Sequence, residues 1–124
     1  NAVSYTSSSK SKKVAYKKSK AKKIKLDGQT SNIYTTGEKT SRWYKISITS
    51  TKKKRILNLG KNTVSGGYKF TIYKNGKKKA IKTIKVTENA NAKIAKMPKK
   101  KGTYYIRISK LTKKTNGTYE IGYY

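Results

Sequence analysis

The strongest constraint on this chain is a two-residue alternation that recurs along most of its length. Tyr44, Ile46 and Ile48 alternate with Lys45 and Ser47; Tyr68, Phe70 and Ile72 with Lys69 and Thr71; Tyr104, Ile106 and Ile108 with Arg107 and Ser109. Successive side chains of a strand point to opposite faces, so each run builds an element with one apolar and one cationic face. Such an element can be buried on one side alone. Charge sharpens the demand, because 33 Lys+Arg stand against 4 Asp+Glu in 124 residues, a net +29. The 21 Ile, Leu, Val and Phe residues, with this charge, would by themselves describe a disordered chain. The offsetting feature is the content of 11 Tyr, 15 Thr and 12 Ile, residues that suit pleated, half-buried surfaces.

The alternating runs predict strands near 22–26, 32–35, 42–49, 55–59, 68–74, 80–86, 93–97, 103–111 and 118–124. Asn75-Gly76 and Asn116-Gly117 read as hairpin dipeptides, Gly60, Gly66 and Gly67 as strand ends, and Pro98 as part of a connection, where its missing N–H costs nothing. The expected architecture is an all-β, two-sheet antiparallel sandwich, jelly-roll-like, of about nine short strands, with Ile, Tyr, Trp43 and Phe70 between the sheets. Residues 1–23 hold 8 Lys and 6 Ser and no acid, and read as a basic tail or linker with Val14, Ala15 and Tyr16 as a candidate edge segment; residues 24–124 read as one sandwich domain. No apolar run approaches a membrane span. The chain opens on Asn1 rather than Met and has no Cys, which we read as a processed piece of a secreted protein.

In their order and spacing, Gly28-Gln29-Thr30, Trp43-Tyr44-Lys45-Ile46-Ser47-Ile48, Tyr68-Lys69-Phe70-Thr71-Ile72-Tyr73 with Asn75-Gly76, Gly102-Thr103-Tyr104-Tyr105-Ile106-Arg107-Ile108 and Asn116-Gly117-Thr118-Tyr119-Glu120-Ile121 resemble the bacterial pre-peptidase C-terminal domain over residues 24–124. The resemblance implies a β-sandwich module appended to secreted bacterial proteases and other exported proteins, the collagen-binding domains of clostridial collagenases among them. Two departures limit what it carries over. Ser41 and Arg42 precede Trp43 where an acidic residue is common in that family, and the N-terminal segment is Lys-rich where its calcium-binding members hold a carboxylate cluster. Asp27, Glu38, Glu88 and Glu120 are too scattered for a calcium site, and the lysine density lies outside the family pattern, so neither calcium nor collagen binding is expected.

The absence of Cys and His removes thiolate nucleophiles, imidazole bases and the usual zinc or copper ligands. Of the carboxylates, Glu38 with Glu88 is the one pair that folding could bring together, and salt bridging to lysine is the plainer reading. No catalytic residue, metal or cofactor is expected. The feature that remains is lysine, which outnumbers arginine 30 to 3. Ammonium groups are hydrated point charges that suit diffuse attraction to polyanions better than planar, bidentate recognition.

If nine strands each cross the sandwich once, the Lys52-Lys53-Lys54-Arg55, Lys77-Lys78-Lys79 and Lys99-Lys100-Lys101 runs fall in the third, fifth and seventh connections and share one end. The even connections carry Glu38, Lys39, Lys61 and Glu88, with Lys113-Lys114 breaking the pattern in the eighth. Parity further turns Tyr44, Tyr68, Tyr104, Tyr119 and Tyr123 inward and sets Tyr34, Tyr73, Tyr105 and Tyr124 outward, as cross-strand partners or stacking platforms. The functional expectation is a non-catalytic extracellular anchoring module, cell-surface associated, whose partner is an anionic envelope polymer such as teichoic acid or an acidic polysaccharide. The alternatives are sequence-independent nucleic-acid binding, and assistance to the folding or secretion of a covalent neighbour domain. Turn lysines that merely solubilise the chain and protect edge strands are the competing plain reading.

Overall fold

The structure is a computed structural model that describes residues 14–34 and 40–124. The described residues form nine strands: β1 Lys22–Lys23, β2 Gly28–Tyr34, β3 Arg42–Ile48, β4 Ile56–Ser65, β5 Tyr68–Lys74, β6 Ala80–Val86, β7 Ala92–Lys96, β8 Gly102–Lys110 and β9 Asn116–Tyr123. They form two stacked sheets, ordered β1-β3-β8-β5-β6 and β2-β9-β4-β7. Pairing is antiparallel except between β1 and β3. Consecutive strands from β2 to β7 alternate between the sheets except for the β5-β6 hairpin, and β8 and β9 each insert between strands already placed. That is the connectivity of an eight-stranded jelly roll, with β1 added at one edge.

The strand boundaries differ from the sequence reading where side chains carry no alternation signal. β2 begins at Gly28 because its polar Gln29-Thr30-Ser31 pairs with β9 through backbone groups, and β4 runs past Leu59 through a polar second half to Ser65. Asn116-Gly117 is not a hairpin turn. Asn116 is buried at the first position of β9, opposite an irregularity at Thr63/Ser65, and Gly117 is at φ 146, where a side chain would meet the Asn62 carbonyl at 2.4 Å. The turn lies earlier, at 111–115, where the Thr115 hydroxyl donates to the Gly67 carbonyl at 3.0 Å.

Residues 14–23 lie against the edge of the five-stranded sheet. The Trp43 N–H donates to the Ala15 carbonyl at 2.9 Å, a short 3-10 turn spans Lys18–Lys20, and β1 pairs Lys22 with Tyr44 and Lys23 with Lys45. Part of the stretch read as tail or linker thus pairs with the sheet edge. Residues 1–13 lie outside the described residues.

The core explains how so few aliphatic residues suffice. Ile46, Ile48, Leu57, Leu59, Phe70, Ile72, Ile106, Ile108 and Ile121 are joined by six buried tyrosines. A buried phenol needs a hydrogen-bond partner, and each of these has one. Tyr34 donates to the Thr40 carbonyl, Tyr68 to the Gly117 carbonyl at 3.0 Å, Tyr104 to the Lys100 carbonyl at 2.7 Å and Tyr123 to the Ser47 carbonyl at 2.9 Å, while the Tyr44 and Tyr119 hydroxyls bond each other at 2.5 Å.

Two expectations about this core are overturned. Tyr34 points inward, stacked on Tyr68 with ring centroids 5.6 Å apart, because β2 lies in the second sheet with β9 as its partner. Trp43 is outside the core. It shares a strand with inward Tyr44, so it takes the opposite face, where its ring packs 5.6 Å from Tyr73. The inward position goes to Arg42, fully buried between rings, with its guanidinium carbon 4.2 Å from the Tyr34 centroid and 5.5 Å from that of Tyr119. Its Nη1 donates to the Ile33 carbonyl at 2.5 Å and the Tyr119 hydroxyl at 3.2 Å. A planar, weakly hydrated cation between aromatic faces is the form of positive charge that tolerates such a place.

Candidate functional site

The three lysine runs occupy loops whose position follows from strand register. Ile48 pairs with Gly102, Lys74 with Tyr104, Tyr73 with Ala80 and Ile56 with Lys96. The ends of β3, β5 and β7 and the starts of β4, β6 and β8 therefore meet at one end of the sandwich. Lys52, Lys53, Lys54, Lys77, Lys78, Lys79, Lys99, Lys100 and Lys101 are all exposed there, and Arg55 is half-buried.

Backbone bonds tie these loops to the scaffold and to each other. The Met97 N–H donates to the Arg55 carbonyl at 2.8 Å, joining the third and seventh connections, and the Asn75 N–H donates to the Thr103 carbonyl at 2.9 Å. The Tyr104 hydroxyl holds the Lys100 carbonyl from inside the core. Ammonium groups are crowded enough to perturb one another. Partial desolvation, followed by the positive charges of Lys100 and Lys77, pushes Lys74 below the usual lysine range. Beside the loops, a recess of about 370 Å³ is lined by Lys54, Lys82 and Lys96 around Ile81, Met97 and Pro98. Lys82 Nζ crosses from β6 to the Lys96 carbonyl at 2.6 Å, bridging the two sheets at their open side.

The opposite end is built differently. Glu88 accepts from the Gly66 N–H at 2.7 Å, so its carboxylate braces the β4–β5 turn. Lys61, which lies within β4 rather than in a connection, donates to the Glu88 carbonyl at 2.9 Å; desolvation lowers its pKa while the Glu88 charge opposes the shift. Lys113 and Lys114 are exposed at this end, away from the three runs. Glu38 and Lys39 lie outside the described residues. Among the described residues, no three acidic, His or Cys side chains are grouped as metal ligands. No helix among them is long and apolar enough to cross a membrane.

The outer face of the five-stranded sheet carries the cations that alternation sets outward, Lys45, Lys69 and Arg107, and with them Lys18 from the N-terminal segment. Tyr73 and Tyr105 are cross-strand partners, and Lys18 places its ammonium 5.5 and 4.9 Å from their ring centroids. Arg107 stands 5.5 Å from the Trp43 ring. Of these rings, Tyr73 and Tyr105 are met by Lys18 of the chain's own segment 14–23. Lys18 belongs to the stretch read as tail, so composition hid its role.

The molecule is thus, by class, a jelly-roll β-sandwich with one end made of exposed cationic loops. Among solved structures it is similar to the pre-peptidase C-terminal domain of a collagenase from Bacillus anthracis, with 19% identity over 85% of this chain and 95% of that one and a TM-score of 0.68. It is also similar to PliG of Aeromonas hydrophila, a periplasmic inhibitor of g-type lysozyme, with 11% identity over 85% of this chain and 98% of that one and a TM-score of 0.52. The chain has the fold of a pre-peptidase C-terminal domain, in agreement with the resemblance carried by its Trp43-Tyr44 and Gly102-Thr103-Tyr104-Tyr105 segments. No family model matches the sequence, and no curated relative was found for it.

Proposed function

We propose that this chain is a non-catalytic accessory module of a secreted bacterial protein, and that it anchors that protein to an anionic polymer of the cell envelope, teichoic acid or an acidic glycan. The observation that carries the reading is the gathering of Lys52-Lys53-Lys54-Arg55, Lys77-Lys78-Lys79 and Lys99-Lys100-Lys101 at one end, in connections that contain no carboxylate. Loops on a rigid sandwich are where binding usually sits, and a cluster of ammonium groups raises the local concentration of a polyanion. Neutralising charge by binding such a chain also releases its condensed counterions, so the affinity falls as salt rises. The likeness to a collagenase accessory domain and to a periplasmic inhibitor supports placement outside the cytoplasm.

Retention on purified Gram-positive cell walls, before and after chemical removal of teichoic acid, tests the reading. Retention is expected to drop sharply after removal and with added salt. Equal retention on both wall preparations would end it. Tighter binding to a particular DNA or RNA sequence than to any wall polymer at physiological salt would replace it with the nucleic-acid alternative.

A further inference from the structure

The outer face of the four-stranded sheet carries an acid among small and amide-bearing residues, in contrast to the lysine loops. Ser31, Glu120, Gly60 and Ala92 form one row across its four strands. Three of the four are small, so Glu120 stands over a trough of about 350 Å³, within the range of about 300–1,000 Å³ common for small-molecule sites. The walls are Asn58, Asn62, Asn91 and Thr118. Lys61 borders the trough, but its ammonium is engaged by the Glu88 carbonyl and the Thr63 hydroxyl at 2.9 and 3.3 Å. Beyond one side, the Tyr124 ring lies against Gly122, the register partner of Asn58, and is 38% exposed.

Glu120 is the telling group. Among the described residues its carboxylate makes no ion pair and no side-chain hydrogen bond, although the chain holds 33 Lys+Arg. Its acceptor sites are therefore open to an incoming donor. The neighbouring side-chain amides both donate and accept, a pattern that matches adjacent hydroxyl groups. An anionic ligand would be repelled by Glu120, and a cationic ligand by the net charge of +29. We propose that this trough binds an uncharged, hydroxyl-rich sugar chain, with Glu120 accepting from sugar hydroxyls, Asn58, Asn62 and Asn91 completing the hydrogen bonds, and Tyr124 offering an apolar ring at the rim. The site is separate from the lysine loops and stands whether or not they bind a polyanion.

The test is titration of the intact chain with cellohexaose, chitohexaose and maltohexaose in turn, followed by calorimetry and amide NMR at about 0.5 M NaCl, where attraction between exposed charges is screened beyond about 4–5 Å. Saturable binding of at least one sugar is expected, with shifts centred on Asn58, Gly60 and Glu120. Glu120→Gln is expected to weaken it about tenfold, as for loss of a charge-assisted hydrogen bond. Gly60→Ala keeps the fold, since the added carbon sits 3.6–3.8 Å from Asn91, Ala92 and Glu120, and it weakens binding by raising the floor. Replacing the nine exposed loop lysines by Gln leaves the sugar affinity unchanged. Inertness of all three sugars would overturn the proposal, as would affinity unmoved by both Glu120→Gln and Gly60→Ala in folded protein.

Discussion

The interior of this sandwich and its lysine-rich end handle polarity in opposite ways. Inside, six tyrosines and Arg42 bring polar atoms into the core, and each phenol is matched to a specific partner. At the end, nine lysines lie exposed on three loops with no acid among them. The difference separates stability from charge. Paired phenols and aliphatic side chains hold the sheets together, and the loop ammonium groups can change without touching that packing.

The comparison breaks most severely if the tyrosine core is not what holds the fold. Tyr68→Ala removes a fully buried ring that packs on Tyr34 and Tyr119 and leaves an acceptor unpaired, and should cost about 3–5 kcal/mol in chemical denaturation. A loss under about 1 kcal/mol would mean that the core yields there without penalty. Exchanging Lys52, Lys53, Lys54, Lys77, Lys78, Lys79, Lys99, Lys100 and Lys101 for Gln should have the opposite profile. Polyphosphate affinity at low salt is expected to fall by about 10³-fold or more, while the thermal midpoint holds or rises as self-repulsion is relieved. A large drop in the midpoint would show that these loops support the fold.

Alkaline pH separates the same two regions by titration. Desolvation raises the pKa of Tyr44, Tyr104, Tyr119 and Tyr123 above the ordinary phenol value of 10.0. Below that value both folded and unfolded chains keep these protons, and the full stability is present. Above it the unfolded chain loses protons that the fold retains, so stability falls as pH rises. Lys61 and Lys74 act with the other sign, because their lowered pKa means that stability rises with pH in the window below 10.5. Thermal midpoints from pH 8 upward, read with phenolate absorbance, should show a modest gain and then a decline, with most buried phenolate appearing on unfolding. Phenolate titration of all the core tyrosines in folded protein would contradict the buried-phenol account. The smallest effect is expected from Lys18→Ala, about 0.5–1 kcal/mol from its cation–aromatic contacts with Tyr73 and Tyr105, with faster amide exchange at Trp43 as the edge segment loosens.

Much of the fold was legible because alternation reports directly on which face is buried. Tyr44, Ile46 and Ile48, or Tyr104, Ile106 and Ile108, declare a strand and its inward side, and nine strands set the parity that puts three lysine runs at one end. What was hidden follows from the limits of that signal. Trp43 leaves its expected place in the core because hydrophobicity ranks tryptophan inward, while the strand allows one of the two neighbours inside and Tyr34 and Tyr119 make a slot for the Arg42 guanidinium. Tyr34 was misplaced because its direction depends on which sheet β2 joins, a long-range fact. Asn116-Gly117 has the residue types of a tight turn, yet its glycine is needed for close approach to Asn62. The Glu120 trough left no motif, since it is made by Glu120 and by small residues on three other strands that meet only through register.

The most direct test of the central claim is titration of the lysine side-chain ammonium signals by NMR with polyglycerol phosphate at low salt. The account predicts that the earliest and largest shifts fall on Lys52–54, Lys77–79 and Lys99–101, with Lys113, Lys114, Lys69 and Lys85 following weakly. Equal shifts across all surface lysines, or a first response at Lys113 and Lys114, would contradict it and leave the charge as a general solubilising coat.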